Sequence, residues 1–306
     1  MSSRLVFWLI VTTLLMGCGN VVSTQGDHST NKIAMPTIPS AIVDVDSRRE
    51  YLAQHYWDGV DFTDSLFLKN DSLVGCRVAG YIQVLMMNPP SVIERSVDQL
   101  LGRALSLGYE PFERLTSTFE DYLYNPNSPL RNEELYLYIL RYTVERSALD
   151  DIYKIRPRRQ LEMALRNRVG EEALDFEYTT LSGELSTLHA TTTRYTLLFF
   201  NSATCSECLR VRRILSESET LKSMVSAGVM TILSIYPDAN ESEMLKDELS
   251  PHFIYALDTK GAIYKERLYD LRALPNIYLL DSTHRVVHKD IAIEKLLRYL
   301  PTQSER

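Results

Sequence analysis

The fold turns on one stretch, Leu197-Leu-Phe-Phe-Asn-Ser-Ala-Thr-Cys-Ser-Glu-Cys208. Leu197 to Phe200 is a short, unbroken apolar run, which suits a strand buried on both faces. Residues 206–221 then read as a helix, so Cys205 and Cys208 stand at a helix N-terminus. A helix start points unpaired N–H groups and its positive dipole end at whatever sits there. A thiolate at Cys205 is stabilised by that field, so its pKa falls and it becomes a nucleophile near neutral pH. Cys208 lies one turn further on, where it can close the disulfide that releases a mixed-disulfide partner. Cys205 is the expected nucleophile and Cys208 the resolving thiol. The pair is its own redox group, and no separate cofactor is expected.

Working outward, Gly228–Tyr236, Ile277–Leu280 and Arg285–His288 read as further strands. Residues 241–249 and Ile293–Leu300 read as helices. Strands alternating with helices imply an α/β sheet with crossovers. Residues 45–168 read as all-helical. Val74, Val78, Tyr81, Ile82 and Leu85 make one apolar stripe, with Pro89-Pro90 closing that helix. Ile93, Val97, Leu100, Leu101, Ala104 and Leu105 make another, after a capping box at Ser91-Val-Ile-Glu94. Asn132 caps a third helix carrying Tyr136, Leu140 and Val144, after the turn cluster Asn125–Pro129. The expected fold class is therefore α + α/β, an all-helical N-terminal domain followed by a mixed sheet flanked by helices.

Composition narrows the function classes. The chain has 306 residues, 33 Lys+Arg against 40 Asp+Glu, net charge −7, and 45% hydrophobic residues. These values exclude collagen-like, low-complexity and wholly disordered classes. The acidic balance leaves no electrostatic footprint for nucleic acid. Four cysteines are too few for a disulfide scaffold.

The first cysteine belongs to an export signal. Arg4 precedes an apolar run, Leu5–Met16, that is too short to span a membrane and suits a signal core. Leu15-Met16-Gly17-Cys18 resembles the bacterial lipobox, which implies cleavage after residue 17 and acylation of Cys18. Gly19 in place of Asp resembles outer-membrane sorting. Residues 18–44 read as a flexible tether, with Pro36 and Pro39 in a polar, turn-rich stretch. The expected location is the cell envelope, lipid-anchored and facing the periplasm.

The C-terminal part, about 170–303, resembles the thioredoxin fold and, within it, the periplasmic TlpA/ResA-like branch. The carrying residues are Phe199-Phe-Asn-Ser-Ala-Thr-Cys-Ser-Glu-Cys208, Tyr269-Asp-Leu-Arg-Ala-Leu-Pro-Asn-Ile-Tyr-Leu-Leu-Asp281, and the hairpin Asp175-Phe-Glu-Tyr…Gly183-Glu. The resemblance implies a cis peptide at Leu274-Pro275 facing the cysteines, with the Leu274 backbone and Thr204 beside the substrate chain. It implies thiol–disulfide exchange on envelope proteins in the reducing direction, sustained by an upstream thiol donor. Thr204 stands where the family carries Trp or Tyr. Phe199 and Val211 stand where it carries a buried acid.

Residues 45–169 resemble an uncharacterised helical domain that precedes thioredoxin-like domains in Bacteroidetes lipoproteins. The resemblance rests on Tyr56-Trp57-Asp58, Tyr122–Tyr136 and Arg166-Asn-Arg-Val-Gly170. It implies no activity for that domain.

Other features read as structural. Cys76 falls between apolar positions of a helix, as a buried, unreactive thiol would. Arg210, Arg212 and Arg213 read as a solvated face, and Lys154, Arg156, Arg158 and Arg159 as a wet helix end or linker. One CxxC offers a metal two donors, whereas a closed zinc site wants four. His284 and His288, beyond the third strand, could join it, but the two-residue cysteine spacing does not match the wider spacing of copper-handling relatives, so metal delivery ranks below exchange. The rival class is a non-catalytic scaffold, with the helical domain as its working surface.

Overall fold

The computed structural model of the protein describes residues 35–238 and 250–304. The signal at 1–17, Cys18, the tether as far as 34 and the helix expected over 241–249 lie outside the described residues. The chain divides into two compact units, 1–149 and 150–306.

The described regular elements of the first unit are helices. They are α1 (Val45–His55), α2 (Ser65–Leu68), α3 (Asp71–Leu85), α4 (Pro90–Ser106), α5 (Tyr109–Leu123) and α6 (Glu133–Arg141). A π-turn over Tyr142–Arg146 prolongs α6. The stripes on α3 and α4 are buried as their spacing predicts, except Leu105, which is half-buried. Tyr56, Trp57, Phe62 and Tyr81 meet in the core, with ring centroids 5.2 to 5.8 Å apart. Tyr124 stacks on Tyr136 at 5.0 Å, so these tyrosines serve packing.

Asn132 caps α6, its Oδ1 accepting from the Leu135 N–H at 3.0 Å. The capping box at Ser91 does not form. Pro90 occupies the first position of α4, Pro89 is the N-cap, and Ser91 is exposed. Proline's preset φ and missing N–H suit a helix start, which moves the start one residue upstream of the serine. Cys76 is half-buried rather than buried.

The second unit opens with α7 (Asp151–Ala164). The sequence places this helix in the N-terminal domain, ending at 169. The structure ties its C-terminal end to residues a hundred positions further on. Lys289 Nζ donates to the carbonyls of Ala164 at 3.3 Å and Arg166 at 2.8 Å, satisfying groups that a helix end leaves open. Asn167 takes a left-handed φ of 51° and donates to the Leu268 carbonyl at 2.7 Å. Lys154 is buried here, not solvated.

A seven-stranded mixed sheet follows, in the order β2-β1-β5-β4-β3-β6-β7. The strands are β1 (Glu177–Thr180), β2 (Leu185–Thr187), β3 (Tyr195–Phe200), β4 (Met230–Tyr236), β5 (Ile254–Leu257), β6 (Asn276–Asp281) and β7 (Val286–His288). β3, β4 and β5 are parallel, and β6 runs antiparallel to β3. The helices are α8 (Ser206–Glu217), α9 (Glu219–Ser226), the single turn α10 (Ala262–Lys265) and α11 (Ile293–Ser304). The sheet and its helices match the expected thioredoxin-like architecture. The one helix read over 206–221 is two, broken at Ser218, whose ψ is 110° and whose side chain caps α9. β5 is a strand that the sequence reading missed.

β3 is buried along its whole length and feeds two cores with period two. Leu197 and Phe199 face Val211, Leu215, Leu221 and Leu296 on one side of the sheet. Leu198 and Phe200 face Phe176, Tyr178, Tyr269 and Tyr278 on the other. The β7 edge is covered by the chain entering the unit, through Gly170 N–H to Val286 O at 2.8 Å and Val286 N–H to Glu171 O at 2.9 Å. Covering an edge removes a template for unwanted pairing.

Candidate active site

The end of β3 and the start of α8 place the two cysteines. Cys205 is the N-cap of α8, and its Sγ accepts from the Cys208 N–H at 3.1 Å. Sulfur thus takes the place that a Ser or Asp oxygen usually fills at a helix start. Cys205 is partly exposed, whereas Cys208 is 0% exposed. The two are joined as a disulfide, with their Cα atoms 5.2 Å apart. Such asymmetry suits a thiol that meets partners and a second thiol that waits behind it.

The loop before β6 supplies the facing wall. Leu274-Pro275 is a cis peptide, and the Leu274 carbonyl oxygen lies 3.6 Å from Cys205 Sγ. The loop is braced from within. Asn276, buried, donates through Nδ2 to the Asp270 carbonyl at 2.7 Å. Arg272 Nε donates to both Asp270 carboxylate oxygens at 2.8 Å. Phe200 pairs with Asn276 in the β3–β6 register, so the loop ends where the cysteine loop begins.

A solved structure described as a thioredoxin-like protein from Bacteroides caccae is similar to this chain at 31% identity with a TM-score of 0.82. The match covers 89% of this chain and 98% of that one. The chain belongs to the thioredoxin-like proteins. Residues 19–167 match a family described as a domain of unknown function, DUF5106. The C-terminal domain of an uncharacterised protein from Bacteroides fragilis is 36% identical, covering 44% of this chain and 98% of its own, with a TM-score of 0.43. A conserved protein of unknown function from the same species is 35% identical with the same coverage and a TM-score of 0.41. No curated protein matches.

In this thioredoxin-like protein the sequence-derived residues Cys205, Cys208, Leu274 and Pro275 come together at one end of β3. Thr204 sits beside them, exposed, with its backbone N–H 3.4 Å from Ser202 Oγ. Cys18 lies outside the described residues. The two histidines weighed as metal ligands are not brought in. His284 follows β6, at the opposite end of the antiparallel β3–β6 pair, and bonds to the Thr191 carbonyl at 3.0 Å. Six residues of strand put it about 20 Å from the cysteine end. His288 packs edge-on against Tyr299 at 4.5 Å.

The rim of the site is charged. Arg210 makes a forked contact to Glu207, at 2.6 to 2.9 Å, and reaches Glu294 of α11 at 3.6 Å. That hydrogen bond holds the Glu207 carboxyl below its usual range and the Arg210 guanidinium above its own. Arg213 is exposed, as a solvated face requires. Arg212 is not. It is 2% exposed, and its Nη2 donates to Oδ1 of Asn201 at 3.2 Å. Arg212 reads as solvated in the sequence, yet the spacing Cys208, Val211, Arg212, Leu215 is the apolar-face period of α8, and that period is the signal that could have marked it as buried. Asn201 and the Asp270–Asn276 brace had no comparable mark in the sequence.

Proposed function

We propose that the protein carries out thiol–disulfide exchange on proteins of the cell envelope. The observation that supports this best is the placement of Cys205: partly exposed, at a helix N-terminus, bonded to buried Cys208 and faced by the Leu274 carbonyl. In the reducing direction the Cys205 thiolate attacks one sulfur of a partner disulfide. A Cys205–partner bond forms, and the other partner sulfur leaves as a thiolate. The Cys208 thiolate then attacks Cys205, and the second partner sulfur leaves. The partner gains two electrons and the pair becomes a disulfide. Leu274 and Thr204 flank the attacking sulfur and position the partner's backbone. An upstream thiol donor returns the pair to the dithiol. Acylation at Cys18 would hold the protein at the membrane, with residues 18–44 as the tether.

Thiol trapping tests this. Expressed in its host, the Cys208→Ser variant should accumulate mixed disulfides with envelope proteins, and Cys205 should alkylate faster at pH 7 than a model thiol. No trapped partner together with ordinary alkylation would leave the protein a scaffold.

A further inference from the structure

Residues 266–275 join α10 to β6 without a helix or strand of their own, and they carry Leu274. Fixing the backbone of such a segment costs conformational entropy, so its position depends on what grips it. Asn276 grips its C-terminal half through the Asp270 carbonyl. The stretch Arg166-Asn-Arg-Val-Gly170, just after α7, grips the other half. Arg166 Nη1 donates to the carbonyls of Glu266, at 2.7 Å, and of Arg267. Asn167 is 3% exposed and uses both ends of its amide. Its Nδ2 donates to the Leu268 carbonyl at 2.7 Å, and its Oδ1 accepts from the Leu174 N–H at 2.8 Å. Leu174 returns to the same segment, its carbonyl accepting from Tyr269 Oη at 2.6 Å. Tyr269 is buried and stands directly before Asp270. Gly170 and Glu171 fasten the gripping stretch to Val286 of β7. The left-handed φ of Asn167 is one that asparagine enters more readily than most residues. The family match over 19–167 ends on this residue.

We propose that Asn167 is a positioning residue of the exchange reaction, which holds the Leu274 carbonyl opposite Cys205 by tying the chain after α10 to the segment that enters the sheet. The inference rests on the exchange reading above. The contacts run without a gap. Val286 holds Gly170 and Glu171, Asn167 holds Leu268, Leu174 holds Tyr269, Asn276 holds Asp270, and Leu274 faces the sulfur. A partner chain that docks its backbone at Leu274 must order whatever slack the loop retains, at a cost to affinity. A loop fastened beforehand removes that cost. The reactivity of Cys205 is set separately, by the start of α8. Loss of the anchor should therefore weaken partner binding and leave the sulfur's own chemistry alone.

The test uses the full chain. Asn167→Gly keeps the left-handed backbone accessible and removes both side-chain bonds. Asn167→Asp keeps the acceptor for Leu174 and loses only the donor to Leu268. Three measurements are made on each: KM and kcat for reduction of insulin, alkylation of Cys205 by iodoacetamide, and amide hydrogen exchange. In Asn167→Gly, KM should rise about tenfold, the effect of about one net hydrogen bond, with kcat and alkylation within about twofold. Amides 268–274 should exchange about tenfold faster, and those of β3 and β4 at the wild-type rate. Asn167→Asp should share both effects, because it breaks the bond to the loop. Arg166→Met, which releases Glu266 and Arg267, should do the same and serves if the Asn167 variants do not fold. Wild-type KM and loop exchange in folded Asn167→Gly, or in Arg166→Met, would overturn the proposal. So would equal acceleration across the loop, β3 and β4, which marks a loss of fold stability alone. A wild type that reduces no disulfide, with exchange in Asn167→Gly faster in the loop only, removes the exchange function and leaves the Asn167 anchor standing.

Discussion

Leu274 O stands 3.6 Å from Cys205 Sγ, although 69 residues separate them in the chain. β3 delivers the sulfur and β6 the carbonyl, and the two strands pair along six residues. The site is therefore as rigid as the β3–β6 ladder beneath it, and the loop carrying Leu274 is braced separately by Asn276 and Asp270. Changing Asn276 to Ala removes that brace while leaving the cysteines in place. Its expected effect is a slower attack by Cys205 on protein disulfides, with alkylation of Cys205 by a small reagent little changed. Parallel rates for a protein substrate and for iodoacetamide check it.

The cysteines have separate tasks. Cys205→Ser should abolish exchange to the uncatalysed background, because the exposed nucleophile is gone. Cys208→Ser should still attack, then stall as a mixed disulfide. Insulin reduction and non-reducing electrophoresis distinguish the two variants.

The two cores of the sheet meet through β3. Phe200 is fully buried and packs against Tyr269, with centroids 4.9 Å apart, and edge-on to Tyr278 at 6.2 Å. Phe200→Ala leaves a cavity among large rings that cannot readily collapse, so it should cost about 3–5 kcal/mol. The midpoint of urea unfolding for the second unit, at unchanged slope, reads this out.

The helix starts of the first unit make a paired prediction. Asn132→Ala removes the acceptor of the Leu135 N–H and should cost about 1 kcal/mol. Ser91→Ala, at an exposed site that caps nothing, should stay within about 0.5 kcal/mol. Equal losses for both would restore the capping box that the spacing suggested.

His288 gives a pH dependence. Burial, and then the charge of Lys295, hold its pKa below the ordinary 6.5. A folded pKa below the unfolded one means that the unfolded chain binds the proton more readily. The stabilisation is therefore present above pH 6.5 and lost as pH falls through the lower folded value. Denaturant unfolding between pH 5 and 8 should show this loss, and His288→Gln should flatten that part of the profile. By nuclear magnetic resonance, Lys295→Gln should shift the His288 titration upward.

What the sequence determined was whatever depends on local order. The apolar run Leu197–Phe200 made a buried strand, the stripes on α3 and α4 made buried helix faces, and CxxC after a strand placed two thiols at a helix start. Period and spacing carry these, because burial of a face and the field of a helix end act over a few residues. The tertiary structure decided whatever depends on partners far along the chain. It broke the helix at Ser218 and made a strand of Ile254–Leu257 by setting it between β4 and β1. It tied the end of α7 to Lys289. It also buried Arg212 against Asn201 while leaving Arg213, one residue on, in water. Composition makes those two arginines alike. Only the packing of α8 on the sheet, which turns successive side chains by about 100°, separates a solvated charge from one buried beside the redox pair.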